Sequence, residues 1–444
     1  MLARWIGVLD IYDNLLVQIA TVIRLEDHHK GFQNLASVSD ALRVFLDAVG
    51  SPRIQLELVR VDRSVGRVLG DHVIANQFIP QTDRAAMDGY AVRSSDVQDA
   101  SEANPVVLQL VGESEVGETC KIRVQVNQAV AVATGSSVPS GANAVVMVER
   151  TKILPGRKVS VFSSAAHGQN ISKRGEDVKP RTLVLNRGRR IRHEDIGILK
   201  ALGVERIRVV RRPRMAVIST GNELTKLSKH HRPDKIVDIN RSILSGMIGE
   251  LGCVPVDVGL ARDDEKEILA LLKKALRSCD ALIVTAGSSV GEKDLVPRCV
   301  NRLGRPGMLV HGVAMRPAMP TGLAVVDGKP ILSLPGFPIS AIFGFRVFVR
   351  PLIARLLGSE EIVDPVVRAV LKERISNSPG FRAFVRVTLR RTLDGLVAEP
   401  LKIQRSSVLM SLVAANGIVT VQEDVAVIEA GQEVEVAVIG EIAS

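Results

Sequence analysis

The hydrophobic period changes several times along this chain, and each change predicts a different kind of element. Residues 1–30 mix Trp5, Ile6, Val8 and Leu9 with Arg4, Asp10, Asp13 and Arg24, and end in Glu26-Asp27-His28-His29-Lys30. With no cleavage-site pattern and no uninterrupted apolar span, they read as an appendage, neither signal peptide nor membrane helix. A helix is predicted from 37–39, where Ser39 can cap it; Ala41, Leu42, Val44, Phe45 and Val49 recur at helical spacing and Gly50 closes it.

From Pro105 to Val161 the pattern becomes short alternating strands broken by glycine: Val106–Leu108, Ile122–Val126, Ala144–Val148 and Val159–Val161. These predict a small all-β module. Few aliphatic residues occur across Asn170–Leu183, and a short helix near Glu194–Leu202, ended by Gly203, leads into the next part. Strand-like runs then follow at Met215–Ser219, Val254–Gly259, Ala281–Thr285, Leu309–Ala314 and Ile331–Leu334. Helical segments at Arg241–Leu251 and Glu265–Cys279 lie between them, and a long helix is expected over Ile339–Leu357. Such alternation predicts a parallel sheet with helices on both faces. Residues 364–444 return to strand alternation (Phe384, Val385, Val387, Leu389; Val434, Val436, Val438) and predict a small closed β-domain.

At 444 residues the chain is long enough for several domains, and 46% apolar content excludes wholesale disorder. The four cysteines (Cys120, Cys253, Cys279, Cys299) form no CxxC pair, which argues against a zinc ribbon or disulfide framework and suits a reducing cytoplasm. Basic residues exceed acidic ones by 58 to 48, yet only ten Phe, two Tyr and one Trp are present, too few for single-strand stacking platforms. The balance therefore suits an anionic small molecule at least as well as nucleic acid.

In an open α/β sheet, ligands sit beyond the carboxyl ends of the strands. Here those ends run into Thr220-Gly221-Asn222-Glu223, Arg262-Asp263-Asp264, the loop from Thr285 to Asp294, and Pro335-Gly336-Phe337-Pro338. Within the Thr285–Asp294 loop, Gly287 and Gly291 let backbone amides approach an anion, Thr285, Ser288 and Ser289 add hydroxyls, and Asp294 adds a carboxylate. It lacks the Gly-Lys-Ser/Thr ending of a P-loop. Taken alone it reads equally as a structural turn with a capping Asp, and Glu223 and Asp263 read as caps or surface carboxylates. Together, Glu223, Asp263 and Asp294 suit Mg²⁺ shared with a substrate phosphate.

These residues carry a resemblance. Ala86-Met87-Asp88-Gly89-Tyr90-Ala91 matches the core of the "SAMDGYA" signature of the molybdopterin molybdenumtransferases, the MoeA/gephyrin C-terminal family. Ala133-Thr134-Gly135 with Pro139–Val146 is similar to its "TGAxxPxGADAVV" loop, with Asn143 for Asp. Ser219–Leu224 resembles "STGdEL", Asp238-Ile239-Asn240 its "DxN" turn, Thr285–Asp294 "TGGVSVGxxD", and Leu334–Ser340 "LPGNPVS" with Phe337 for Asn. Of the three lysines in "WKxAMKPGKP", Gly312 and Met319 replace two and Arg316 the third. Arg382 and Arg386 resemble "RxEFxR", with Ala383 for Glu, and Ser406-Ser407 stand near a "GS" turn.

The resemblance implies four domains on an α/β multidomain plan. With the breaks above, these are a linker domain (31–80 and 165–206), a β-rich insertion (81–164), a molybdopterin-binding α/β domain with a largely parallel sheet (207–360) and a C-terminal β-barrel-like domain (361–444). It implies a homodimeric transferase that inserts molybdate or tungstate into adenylylated molybdopterin and releases AMP, with the molybdopterin adenylyltransferase as a candidate partner. Asp88, Thr134, Glu223, Asp263 and Asp294 would act in catalysis, with Glu223 and Asp294 at Mg²⁺. Gly221, Thr285, Gly287, Ser289, Gly291, Arg316, Pro320, Ser340, Arg382 and Ser407 would bind the pterin nucleotide and the oxyanion. Arg316 and Arg382 are expected to carry the charge that the missing lysines would have supplied. Asp88 and Thr134 would complete the pocket from the insertion, making dimerisation necessary for activity.

Overall fold

The computed structural model describes residues 35–227, 234–285 and 295–442. The appendage 1–30 and most of the Thr285–Asp294 loop, including Gly287, Ser289, Gly291 and Asp294, lie outside them. Contacts gather the chain into two compact units, Gln55–Val210 and the remainder.

The Gln55–Val210 unit contains a six-stranded sheet in the order Ala144–Met147, Gly89–Val92, Gln128–Val132, Val106–Ser114, Lys158–Val161, Thr151–Leu154. Alternation along its strands feeds two cores. Tyr90, Val92, Ala129, Ala144 and Val146 join one, and their neighbours Ala91, Val130 and Val145 join the other. Gly89 is required here, because a Cβ at its position would lie 1.9 Å from the Val146 carbonyl oxygen. The expected strand Ile122–Val126 is not formed: Val124 is buried but Val126 is exposed, and only a single bridge, Arg123 to Ser140, occurs there. A further core of Val61, Leu69, Leu185, Ile191, Leu199, Ile207 and Val209 packs the paired strands Leu56–Arg60 and Arg206–Val210 with the helix His193–Ala201.

In the other unit, the helix Val38–Val49 starts two residues earlier than expected. Ser37 is its cap, its Oγ accepting from the Asp40 N–H at 3.0 Å, because Val38 already belongs to the buried face. The central sheet has the order Val254–Ala261, Arg214–Thr220, Ala281–Thr285, Lys329–Leu334, Gly322–Val326, Pro306–His311. The first four strands are mutually parallel and the last two pairings antiparallel, so only Gly322–Val326 runs against the rest and "largely parallel" describes the sheet. Gly322–Val326 was not among the expected strands; it forms a hairpin with Lys329–Leu334 through Asp327-Gly328, both with positive φ, the conformation that a two-residue Asp-Gly hairpin turn adopts. The strand expected at Leu309–Ala314 begins earlier and ends at His311. Helices Glu265–Ser278 and Leu295–Asn301 share a core with Ala216, Ile218, Leu282 and Val284 on one face. The expected long helix is helical throughout, as Pro338–Gly344, a π-helical turn Phe345–Val349 and Arg350–Leu357.

The C-terminal strands close on themselves. Arg382–Thr392 pairs with Gly395–Pro400 and Gly417–Val421; Val366–Leu371 pairs with Gly395–Pro400 and Glu433–Val438; and Gly417–Val421 pairs with Glu433–Val438. This five-stranded barrel is filled by Leu371, Val387, Leu389, Ala398, Val419, Val421 and Val436. Closure removes the exposed edges an open sheet of this size would leave.

Candidate functional site

The parallel strands end together, so their carboxyl edge gathers residues far apart in sequence. The central strand Met215–Thr220 is buried at every position, as expected when helices cover both faces. At its end Ser219 Oγ and Thr285 Oγ1, on adjacent strands, meet at 2.9 Å in the interior. Thr220 is fully buried and its Oγ1 has no hydrogen-bond partner among the described residues. Asn240 shows the same feature: its Nδ2 donates to the Gly336 carbonyl at 2.8 Å, while its buried Oδ1 has no partner among the described residues. Buried polar atoms are nearly always paired, so two orphans at one sheet edge mark a place where a polar ligand is at home.

Gly221 turns the chain at this edge with φ +152°, and its N–H donates to the Ala261 carbonyl. A Cβ at Gly221 would fall 2.6 and 2.7 Å from the Glu223 carboxylate oxygens, so a side chain there would displace that carboxylate from its place against the Gly221 backbone. Asn222 and Asp263 are joined by two hydrogen bonds between their loops, and Lys235 Nζ donates to the Asn222 carbonyl at 2.6 Å. The capping role that Asp263 could have had belongs to Asp264, which accepts from Lys266 and Glu267 N–H at the start of the helix Glu265–Ser278. Asp263 is left exposed beside Asn222. Glu223 has no cation paired with it among the described residues, and these donors are all oxygens of the kind Mg²⁺ prefers. Among the described residues no three His, Cys, Asp or Glu side chains cluster as a complete metal cage. That is compatible with a Mg²⁺ that takes other ligands from substrate phosphate and water.

Ser340 lies buried in the first turn of the helix Pro338–Gly344. Phe337 stands at the N-cap with no side-chain hydrogen bond and 56% of its surface exposed. Pro320 is half-buried and Ser407 exposed on a turn.

The two arginines expected to share an oxyanion do not share partners. Met315–Arg316 pairs in parallel with Arg382–Ala383, Met315 opposite Arg382, which puts Arg316 and Arg382 on opposite faces of the ladder. Arg316 lies 4.5 Å over the Phe381 ring and donates to Ser378 Oγ at 2.8 Å. Arg382 is paired with Glu423 at 3.0 Å and also donates to Ser39 Oγ, so its charge is already balanced. Counting "RxEFxR" back from Arg386 places its first arginine on Phe381, one residue before Arg382.

The Gln55–Val210 unit builds its own acidic site. One Asp88 oxygen accepts both the Thr134 N–H at 2.7 Å and the Thr134 hydroxyl at 2.8 Å. The backbone N–H first, and then the hydroxyl, hold the Asp88 carboxyl below its ordinary range. The motif-derived pair is therefore brought together. Thr220, Asn240 and Lys235 are the residues that sequence reasoning missed. Asn240 lies in the Asp238-Ile239-Asn240 turn and Thr220 in the Ser219–Leu224 segment, so position pointed to both; nothing in the local sequence pointed to Lys235.

Residues 36–203 match the family described as MoeA N-terminal region (domain I and II), 216–355 the probable molybdopterin binding domain, and 368–439 the MoeA C-terminal region (domain IV). The chain is 32% identical to the molybdopterin molybdenumtransferase of Bacillus subtilis over 390 residues, covering 87% of this chain and 90% of that protein. It is 33% identical to molybdopterin molybdenumtransferase 2 of Mycobacterium tuberculosis over 396 residues, covering 86% and 97%. The molybdopterin biosynthesis MoeA protein of Pyrococcus horikoshii has a similar fold, with TM-score 0.79, 32% identity, 91% of this chain and all of that one covered.

Proposed function

The chain belongs to the MoeA family of molybdopterin molybdenumtransferases, and on that premise we propose that it inserts molybdate or tungstate into adenylylated molybdopterin and releases AMP. The observation that carries this reading is the carboxyl edge of the central sheet. There a glycine turn, a folded-back Glu223, the Asn222–Asp263 pair and the orphaned Thr220 and Asn240 oxygens converge.

Cleaving an adenylate develops negative charge on the leaving phosphate. Mg²⁺, when bound, would supply electrostatic stabilisation of that charge, with Glu223 and Asp294 as its protein ligands. The remaining work falls to the chain itself. Thr220 and Asn240 orient polar groups of the pterin nucleotide against the strand ends, and the Asn222–Asp263 pair fixes the two loops that flank them. Gly287, Ser289 and Gly291 contribute backbone amides and a hydroxyl to the phosphate, and Asp88, positioned by its two hydrogen bonds from Thr134, has its own part in turnover. On the same reading the protein is a cytoplasmic homodimer supplied by the adenylyltransferase that makes its substrate. Among the described residues no helix is long and apolar enough to cross a membrane.

The test is AMP release from adenylylated molybdopterin and Mg²⁺, with and without molybdate. Molybdate-dependent release supports the reading, and its absence sinks it. A second reading, a pterin-binding or scaffolding relative without turnover, is favoured by one observation: Arg382 is neutralised by Glu423 where Gly312 and Met319 have already removed two cations. Tight pterin binding with no AMP release would select it.

A further inference from the structure

A cleft of about 350 Å³ opens in the Gln55–Val210 unit, lined by Asn76, Gln77, Phe78, Gln81, Arg174 and Pro180. Its size falls at the lower end of the ~300–1,000 Å³ that small-ligand sites occupy. None of these residues belongs to the strand ends of the central sheet or to the Asp88–Thr134 pair, and no carboxylate is among them.

Two segments form its walls, and backbone hydrogen bonds fix them to each other. The Ile79 N–H donates to the Val178 carbonyl at 2.8 Å, the Gly175 N–H to Pro80 at 3.0 Å and the Arg181 N–H to Ala75 at 2.8 Å. Gly175 has φ +71°, and a Cβ there would collide with the Phe78 ring, so glycine lets that ring sit against the turn. The Arg174 guanidinium lies 3.9 Å over the same ring. From another side, Gln77 Nε2 donates to the carbonyl of Ala201, the last residue of the helix His193–Ala201, at 3.0 Å, and Gln81 Nε2 donates to Gln77 Oε1 at 2.8 Å. Gln81 Oε1 and the Asn76 amide are left without partners among the described residues.

Arg174 differs from the charges around it. Lys173 pairs with Asp83 at 3.2 Å, and Glu176 accepts from the Ser172 hydroxyl and the Lys173 N–H. Asp177, exposed on the same turn, does not line the cleft. The Arg174 N–H donates to Asp83 at 2.8 Å, but its guanidinium has no carboxylate partner among the described residues. A guanidinium held by its face on a ring keeps its N–H donors free, because they lie in its plane. Such a fork matches a carboxylate through two parallel hydrogen bonds. One cation in the lining balances one negative charge, whereas a phosphate dianion would keep a charge unmatched. Beside the fork, the carboxamides of Asn76 and Gln81 complement the N–H and C=O of a secondary amide.

We propose that this cleft binds a carboxylate with a neighbouring amide group, Arg174 holding the carboxylate and Asn76 and Gln81 the amide. Phe78 is a positioning residue that fixes the plane of the fork. An acylated amino acid and the free C-terminus of a peptide share this chemistry. The cleft takes no part in the proposed molybdenum chemistry.

Isothermal titration calorimetry on the full chain tests this with N-acetylglycine and with the tripeptide acetyl-Ala-Ala-Gly bearing a free carboxylate. Both should bind with Kd of about 1 mM or tighter. The carboxyl-amidated tripeptide and sodium phosphate should bind at least about tenfold more weakly than the free acids. Arg174→Gln should weaken binding of both acids by about tenfold or more and melt within about 2 °C of the parent, because Arg174 is exposed and has no ion pair to lose. Phe78→Leu should weaken binding about threefold with the charge intact. Equal affinity for the two acids identifies a site for a small acylated amino acid, and a tripeptide bound about fivefold or more tightly identifies a site for a peptide terminus; either supports the proposal. No binding of either acid, the same binding in Arg174→Gln, or phosphate or the amidated tripeptide bound as tightly as the acids overturns it.

Discussion

Asn222 and Asp263 hold each other through two hydrogen bonds, Asn222 N–H to Asp263 Oδ2 at 3.1 Å and Asp263 N–H to Asn222 Oδ1 at 3.2 Å. One loop leaves the strand Arg214–Thr220 and the other the strand Val254–Ala261, so the pair ties neighbouring strand ends together at the edge where substrate is proposed to bind. The next residue, Asp264, does different work as the cap of a helix. Adjacent carboxylates should therefore respond oppositely to removal.

Asp263→Ala should lower AMP release by more than about tenfold while costing no more than about 1 kcal/mol of stability, the worth of an exposed hydrogen-bond pair. Asp264→Ala should cost about 1 kcal/mol as a lost N-cap and leave turnover within about twofold. Urea unfolding and the AMP assay on both variants read the two effects separately, and the opposite assignment would show that Asp263 is structural.

Asp294→Ala should reduce turnover by more than about a hundredfold, equivalent to about 3 kcal/mol of transition-state stabilisation, with pterin binding largely kept. Normal turnover in this variant would make Asp294 a cap and move the site elsewhere.

Thr134→Val removes the hydroxyl donor to Asp88 but leaves the backbone N–H, the larger of the two influences on that carboxyl. The Asp88 pKa should rise only part of the way to the ordinary carboxylate value. Carbon-detected NMR titration of the Asp88 carboxyl measures this, and an unchanged value would mean that the hydroxyl hydrogen bond does not form in solution.

Asp195 predicts how stability depends on pH. Burial pushes its carboxyl up, but two hydrogen bonds from Arg189 and one from the Arg192 N–H outweigh burial and leave it below its ordinary value. The folded pKa being the lower one, the stabilisation is complete above the unfolded value of about 3.9 and is lost as pH falls through the folded value. Asp195→Ala should cost about 2 kcal/mol at neutral pH. Urea titrations at pH 7 and at acid pH should show the difference from the parent shrinking in acid; a difference that stayed constant would remove Asp195 from the account.

Met319→Lys should lower the molybdate concentration for half-maximal AMP release by about fivefold or more, and Arg316→Ala should raise it, because each changes one charge near a dianion. Both effects should fade with added salt. If neither variant moves that concentration, the oxyanion does not bind near this segment.

Local order accounts for what was legible beforehand. Met215–Ser219 and Ala281–Thr285 announce buried parallel strands because helices on both faces demand unbroken apolar runs, and Ile268, Leu272 and Ala275 announce one helix face by their spacing. Asp88 and Thr134 were legible one by one, through two separate motifs; that they share two hydrogen bonds only the fold shows. Gly322–Val326 escaped although it too is a buried apolar run and Asp327-Gly328 marks the turn after it; a run of five without a period does not by itself separate strand from helix.

Sequence by itself determined most of the strands and helices and which residue types stand at the strand ends, since both depend on neighbours a few positions away; Gly322–Val326 and the absent strand at Ile122–Val126 are the exceptions. Tertiary structure alone decided which charges remain available. Arg382 meets Glu423 only because the barrel closes, and Asp263 meets Asn222 only because the strands Arg214–Thr220 and Val254–Ala261 lie side by side. Electrostatic pairing depends on distances between residues remote in the chain, and no spacing or composition encodes those distances.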